Sequence, residues 1–218
     1  MATRMKPGSA AYHHGDLKAT LLEYGIELAR AGGPDAVSLR AVQRRAGVSN
    51  AAAYRHYADR WALLEAIGNY ASARMADAMQ EAIGAVPHGP DPVAAARAHF
   101  HATGAAYIDF ALTEPGLFEI AFLPEDPSRR HWDPADPVPD ARGLAGLGPY
   151  QLLNQVLDRM VEVGALAPQR RAFSDIAAWS AVHGLAVLLL RGPLSRLDQP
   201  MREAAIGRLL DVVQAGTM

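Results

Sequence analysis

Residues Ser38–Arg60 read SLRAVQRRAGVSNAAAYRHYADR, and the parsing of this stretch decides the fold. Leu39, Val42 and Ala46 recur at i, i+3 and i+7, which puts one apolar face on a short helix. Ser38 stands at the N-cap position, where its hydroxyl can accept from an amide that the first helical turn leaves without a partner. Gly47 stops the helix, because a residue without Cβ enters positive φ at little steric cost. Val48 plugs the corner, and Ser49 caps a second helix expected to run to about Tyr57. Two helices joined by a tight turn containing Gly form the helix-turn-helix pattern, whose second helix enters the major groove of DNA. The outer side of that helix offers Asn50, Tyr54, Arg55 and His56, donors and aromatics suited to base edges and phosphates. Tyr57 lies one turn beyond Ala53 and belongs to the core.

Charge supports a nucleic-acid partner for this end of the chain. The 218 residues carry a net −2, but residues 1–60 hold nine Lys or Arg against five Asp or Glu. That module is therefore +4 on a body of −6, a local footprint for phosphate rather than a uniformly basic protein. Half the residues are apolar and a fifth charged, an ordinary globular composition, and the length allows one or two domains. There is no cysteine, which excludes disulfide and thiolate chemistry. No apolar h-region follows Arg4 and Lys6, and the run Ile176–Leu190 is short for a membrane span and contains Ser180 and His183. A cytoplasmic protein is expected.

Working outward, residues 1–11 are expected to be disordered, being small and polar. Asp16 is expected to cap a first helix with the stripe Leu17, Leu21, Tyr24 and Leu28, stopped by Gly32, Gly33 and Pro34. Asp59 caps a longer helix carrying Leu63, Leu64, Ile67, Ala71 and Met75. Gly84–Pro92 is rich in breakers and marks a boundary. The division is an arm and helix-turn-helix domain over 1–58, a linking helix over 59–84, and a C-terminal domain over 85–218. The latter contains helices over Val93–Thr113, a short GLFEIAF helix with Pro115 in its first turn, Tyr150–Gly164, Phe173–Arg191 and Gln199–Gln214. Between them, Leu123–Pro149 has too many prolines for a long helix, and residues 124–148 read as a lid or a disordered segment. No strand and no repeat is evident; the fold class is all-α. The Phe173–Arg191 helix is apolar nearly all round, so every side must be covered, and with the last helix it makes a natural dimer face.

The stretch AGVSNAAAYRHYADRWALLEAI, with YHHGDLKATLLEYGIELARAGG before it, resembles the signature of the TetR family of bacterial transcriptional regulators from Tyr12 to about Tyr70. Ala51–Ala53 is blander than the family's usual mix, and Arg60 stands where Lys is common. AWSAVHGLA resembles the Trp…His-Gly signature of one C-terminal class in that family. The resemblance implies a homodimer through the last two helices, with Gly184 permitting close approach, and a palindromic double-stranded DNA operator. It implies contacts from Ser38, Leu39 and Arg40 at the start of the chain's second helix, where Arg40 could fork onto a guanine. Ser49 would offer its hydroxyl and helix N-terminus to a phosphate. Asn50 would read a base edge, Ala51 and Ala52 would touch thymine methyls, Tyr54, His56 and Arg60 would hold phosphates, and Arg55 could do either. Arg4 and Lys6 would follow the minor groove as an arm.

The resemblance also implies a small, mainly hydrophobic effector among the middle helices, with candidate lining residues Phe100, Thr103, Tyr107, Phe110, Phe118, Phe122, Tyr150, Leu153, Trp179 and His183. An aromatic stripe at this spacing is more often core than pocket. Ligand binding would move the helix that begins at Arg60 and so change the spacing of the recognition helices. Enzymatic and metal readings fare poorly, and neither a catalytic site nor a cofactor is expected. His13 and His14 are adjacent and diverge, and His99 and His101 lie on opposite faces of a helix. Ser180 and His183 share a face without a G-x-S-x-G elbow, and Asp175 has no evident orienting role. Glu23 and Glu27 are a solvated face. The competing class is a helical small-molecule-binding dimer or enzyme with a vestigial helix-turn-helix.

Overall fold

The computed structural model describes residues 17–123 and 146–217. The expected Asp16 cap, the arm with Arg4 and Lys6, His13–His14 and most of the Pro-rich stretch lie outside the described residues. Within them the fold is all-α, in the order α1 Leu17–Ala36, α2 Leu39–Ala46, α3 Asn50–Tyr54, α4 Arg60–Gly84, α5 Pro92–Thr113, α6 Pro115–Ala121, α7 Pro149–Glu162, α8 Ser174–Leu190 and α9 Gln199–Thr217. Short 3₁₀ turns at Pro168–Arg170 and Pro193–Arg196 precede α8 and α9.

Capping chemistry sets the boundaries. Ser38 Oγ accepts from Ala41 N at 3.2 Å, Ser49 Oγ from Ala52 N at 3.3 Å, and Asp59 Oδ1 from Ala62 N at 2.8 Å. Asp91 caps α5 through the Val93 and Ala94 amides. Gly47 sits at φ 67°, and its amide and that of Val48 return to the Arg44 and Gln43 carbonyls. Two boundaries and one buried face differ from expectation. Gly32 and Gly33 kink α1 instead of ending it, and one further turn forms around Pro34. α3 is only five residues long, because after Tyr54 the chain tightens into a turn held by the His56 and Tyr57 amides on Ala53 O. Of the α1 stripe only Leu21 is buried; Leu17, Tyr24 and Leu28 are half-buried, and Gly25, Ile26 and Ala29 form the inner face.

α4 is the spine. Its Leu63, Leu64, Ile67, Ala71 and Met75 are all buried, packing against α1 on one side and α5 and α6 on the other. The short α6 is wedged between α1 and α4. A Cβ at Gly116 would lie 2.0 Å from Ala29 O, and one at Gly68 3.3 Å from Ile120 O, so α6 meets both helices at backbone distance. The Arg30 guanidinium forks onto the Glu114 carboxylate across the same junction, with Nη2–Oε1 at 2.7 Å. Glu119 on the other side of α6 pairs with Arg191 at the end of α8.

α8 is apolar over most of its length, and within the single chain one side of it is left uncovered. Ile176, Val187 and Leu188, with Met201 and Val212 of α9, are 42–56% exposed. Ala177, Ser180 and Gly184 continue that stripe on α8, and a Cβ on Gly184 would meet nothing.

Candidate DNA interface and effector site

The helix-turn-helix corner separates its residues by face. Leu39, Val42, Ala46, Ala53 and Tyr57 turn inward, and the Tyr57 hydroxyl donates to Lys18 O at 3.2 Å, locking the corner onto α1. Arg40, Ser49, Asn50, Ala51, Tyr54, Arg55 and His56 are exposed and Ala52 is half-exposed, so the expected reading surface is continuous. Ser38 is half-buried. Two members of the expected contact set are placed elsewhere. Leu39 is in the core, which leaves only its backbone for DNA. Arg60 turns inward: Nε donates to Val37 O at 2.8 Å and Nη2 to Pro34 O at 2.6 Å, joining the start of α4 to the α1–α2 connection. Its planar fork suits two carbonyls at fixed spacing. Sequence reasoning missed Arg45, which is drawn away from the reading face onto the Tyr24 ring and the Glu27 carboxylate.

The ten candidate effector residues divide into two groups. Tyr107, Phe118, Phe122, Tyr150, Trp179 and His183 form a chain of ring contacts with centroids 4.9–6.5 Å apart, mostly tilted or edge-on. Trp179 Nε1 donates to the Tyr107 hydroxyl at 3.1 Å, and that hydroxyl lies 2.9 Å from His183 Nδ1. Tyr107 and Phe118 are buried at the back; Phe122, Tyr150, Trp179 and His183 form a half-exposed rim. The other candidates are not in this ring contact. Phe100 and Leu153 pack in a separate core with Leu157, Met160 and Leu166; Thr103 donates its hydroxyl to His99 O at 2.8 Å; Phe110 is plain core. A shallow cleft of about 180 Å³ between α4, α5 and α7 is lined by Ile83, Ala96, His99, Leu152 and Val156, none of them a candidate. It is open and smaller than ordinary ligand sites.

Two carboxylate environments were invisible in sequence. Asp175 accepts from the Tyr150 hydroxyl, while Arg171 braces the region through Asp158 Oδ1 at 2.7 Å and Asn154 Oδ1 at 2.6 Å. Burial pushes the Asp175 carboxyl up, but the Tyr150 hydroxyl, backbone amides and Arg171 outweigh it and hold it below its usual value. Burial raises the Tyr107 hydroxyl against the opposing Trp179 hydrogen bond, and burial lowers His183. Among the described residues no group of three or more His, Cys, Asp or Glu could hold a metal ion, and no helix is long and apolar enough to cross a membrane.

A capped helix-turn-helix with a continuous polar face, carried on an all-helical body, defines a DNA-binding transcriptional regulator. Residues 21–67 match the family described as bacterial regulatory proteins, tetR family, and residues 100–213 match the tetracyclin repressor-like C-terminal domain. The chain belongs to the TetR family. No curated protein matches its sequence. Among solved structures, a protein of unknown function from Rhodococcus sp. RHA1 is 26% identical with a TM-score of 0.72, over 96% of this chain and 99% of that one. A minocycline-bound TetR variant from Acinetobacter baumannii is 18% identical with a TM-score of 0.59, covering 91% and 94%. The regulator PfmR from Thermus thermophilus is 20% identical with a TM-score of 0.54, covering 89% and 97%. The last two likenesses concern the fold alone.

Proposed function

We propose that the chain is a cytoplasmic, non-enzymatic repressor that binds a palindromic operator as a homodimer and releases it on binding a small, mainly hydrophobic effector. Arg40, Ser49, Asn50, Ala51, Ala52, Tyr54, Arg55 and His56 make the DNA contacts, with the backbone at Ser38 and Leu39. Residues 1–58 are the DNA-binding domain, 59–84 the link and 85–218 the effector and dimerisation domain. The uncovered stripe on α8 and α9 supports the dimer, since apolar residues so grouped are otherwise a liability in water. Binding of minocycline by a TetR variant of this fold supports the effector.

One observation carries the reading. α6 places Phe118 and Phe122 in the ring cluster and, one residue before Leu117, touches the α1 backbone at Gly116. A ligand that displaces those rings therefore displaces α6 against α1 and α4 together. DNA prefers one separation of the recognition helices and ligand the other, so each weakens the other reciprocally.

The test is fluorescence anisotropy with the chain's own upstream intergenic DNA and a scrambled duplex at about 150 mM salt and again at higher salt, because phosphate contacts alone give salt-sensitive, sequence-blind binding. Tight binding to the upstream duplex alone is expected; equal weak binding to both would return the chain to the vestigial reading.

A further inference from the structure

The hydrogen bonds inside the ring cluster have a direction, and that direction selects a ligand chemistry. An indole N–H can only donate, so the Tyr107 oxygen accepts from Trp179. Tyr107 must then place its own proton elsewhere, and among the described residues the acceptor in reach is His183 Nδ1 at 2.9 Å. Nδ1 is consequently unprotonated in the neutral ring, and the proton is on Nε2, which the geometry of imidazole turns away from Tyr107. Burial favours the neutral ring. Nε2 makes no hydrogen bond to the described residues, yet it is not one of the sealed side-chain atoms lacking a partner.

The walls around it are Phe118 at 5.4 Å and Phe122 at 4.9 Å between ring centroids, with Trp179 beyond. The charge at the far end of the ring chain is the Asp175 carboxylate, held by Tyr150 at the edge of Trp179, and its neighbour Arg171 is already engaged by Asp158 and Asn154. Among the described residues, a carboxylate ligand would meet that anion without a free cation beside the ring chain to receive it.

We infer that the effector site takes an uncharged, planar apolar compound bearing a carbonyl oxygen, and that the His183 Nε2–H is the donor that recognises this oxygen. The Trp and His of the WSAVHG segment act as one unit through Tyr107: Trp179 orients the hydroxyl, the hydroxyl sets the tautomer, and the tautomer presents the donor. Trp179 and Tyr107 are thus positioning residues for the group that touches the ligand. The inference rests on the effector reading above.

The test uses the full-length chain and three matched probes, 2-acetylnaphthalene, 2-ethylnaphthalene and 2-naphthoate, titrated by calorimetry near pH 7.5. The ketone is expected to bind about tenfold tighter than the ethyl compound, the magnitude of one hydrogen bond to a positioned donor, and the carboxylate no better than the ethyl compound. In His183→Phe the ketone's advantage should vanish while 2-ethylnaphthalene still binds. Independently of any variant, ¹⁵N imidazole spectra of the wild-type chain should show the His183 proton on Nε2. Equal binding of ketone and ethyl compound, tighter binding of the carboxylate, or a proton on Nδ1 would overturn the donor assignment while leaving an effector site in place. If none of the probes binds, the donor assignment falls together with the placement of the site in this cluster.

Discussion

The helix-turn-helix corner and the ring cluster are built by opposite means. In the corner the caps and the turn span a few residues, Ser38 to Ala41, Ser49 to Ala52 and the Gly47 turn, and the Tyr57 hydroxyl on Lys18 O ties the unit to α1. In the cluster Tyr107 and His183 stand 76 positions apart, and the Arg30–Glu114 pair that ties α1 to the α5–α6 junction spans 84. The first is a self-contained reading head, so its exposed side chains are free to change without disturbing the fold. The second exists only when α5, α6 and α8 are packed, and its residues serve stability and communication together.

The sharpest way to break this contrast is at Gly116. A side chain there must displace the α1 backbone, because its Cβ would lie 2.0 Å from Ala29 O. Gly116→Val is expected to cost about 3 kcal/mol or more, at the upper end of overpacking, read from the urea midpoint. An unchanged midpoint would mean that α6 does not hold α1 at a fixed distance. Next in size, Arg40→Ala is expected to weaken operator binding by about 2 kcal/mol, the worth of a forked base contact, with the melting temperature unchanged. A fall in stability of the same size would make Arg40 part of the scaffold and erase the contrast from the other side.

Arg60 sharpens the comparison because it belongs to the corner by sequence and to the scaffold by structure. Arg60→Lys keeps the charge but loses the fork on Pro34 and Val37, and should cost about 1 kcal/mol of stability with operator affinity nearly unchanged. A phosphate-holding Arg60 would give the reverse. The smallest effect concerns pH. His183 is held below its ordinary 6.5 by burial, so as pH falls beneath about 6.5 the unfolded chain binds this proton first. Stability contributed by the neutral ring is complete above that pH and declines below it, until the folded ring also protonates. His183→Gln should flatten this part of the wild-type stability profile; identical slopes in the two proteins would show that the ring is not held neutral by the fold.

The reading face was legible because helix caps, a glycine turn and an i, i+3, i+7 stripe are local codes. Tyr57 was recognised as core on spacing alone, and it is 3% exposed. Arg60 was not legible: whether a guanidinium at a helix start reaches outward to phosphate or inward to carbonyls depends on where the α1–α2 connection lies. Among the effector candidates, aromatic residues at helical spacing look alike in sequence, which cannot separate Phe118 from Phe100. Helix packing separates them, sending one to the ring cluster and the other to the Met160 core. Asp175 had no evident role until Tyr150 was brought to it.

By itself the sequence determined the helices, their caps, the corner and the face that the corner presents, since each depends on residues within a turn or two of one another. Only the tertiary structure decided which aromatics meet, which way the Tyr107 hydroxyl donates, that α6 touches α1 at backbone distance, and that one side of α8 is left uncovered. Those outcomes depend on how elements far apart in the chain pack, and close packing admits one arrangement where local propensity admits many.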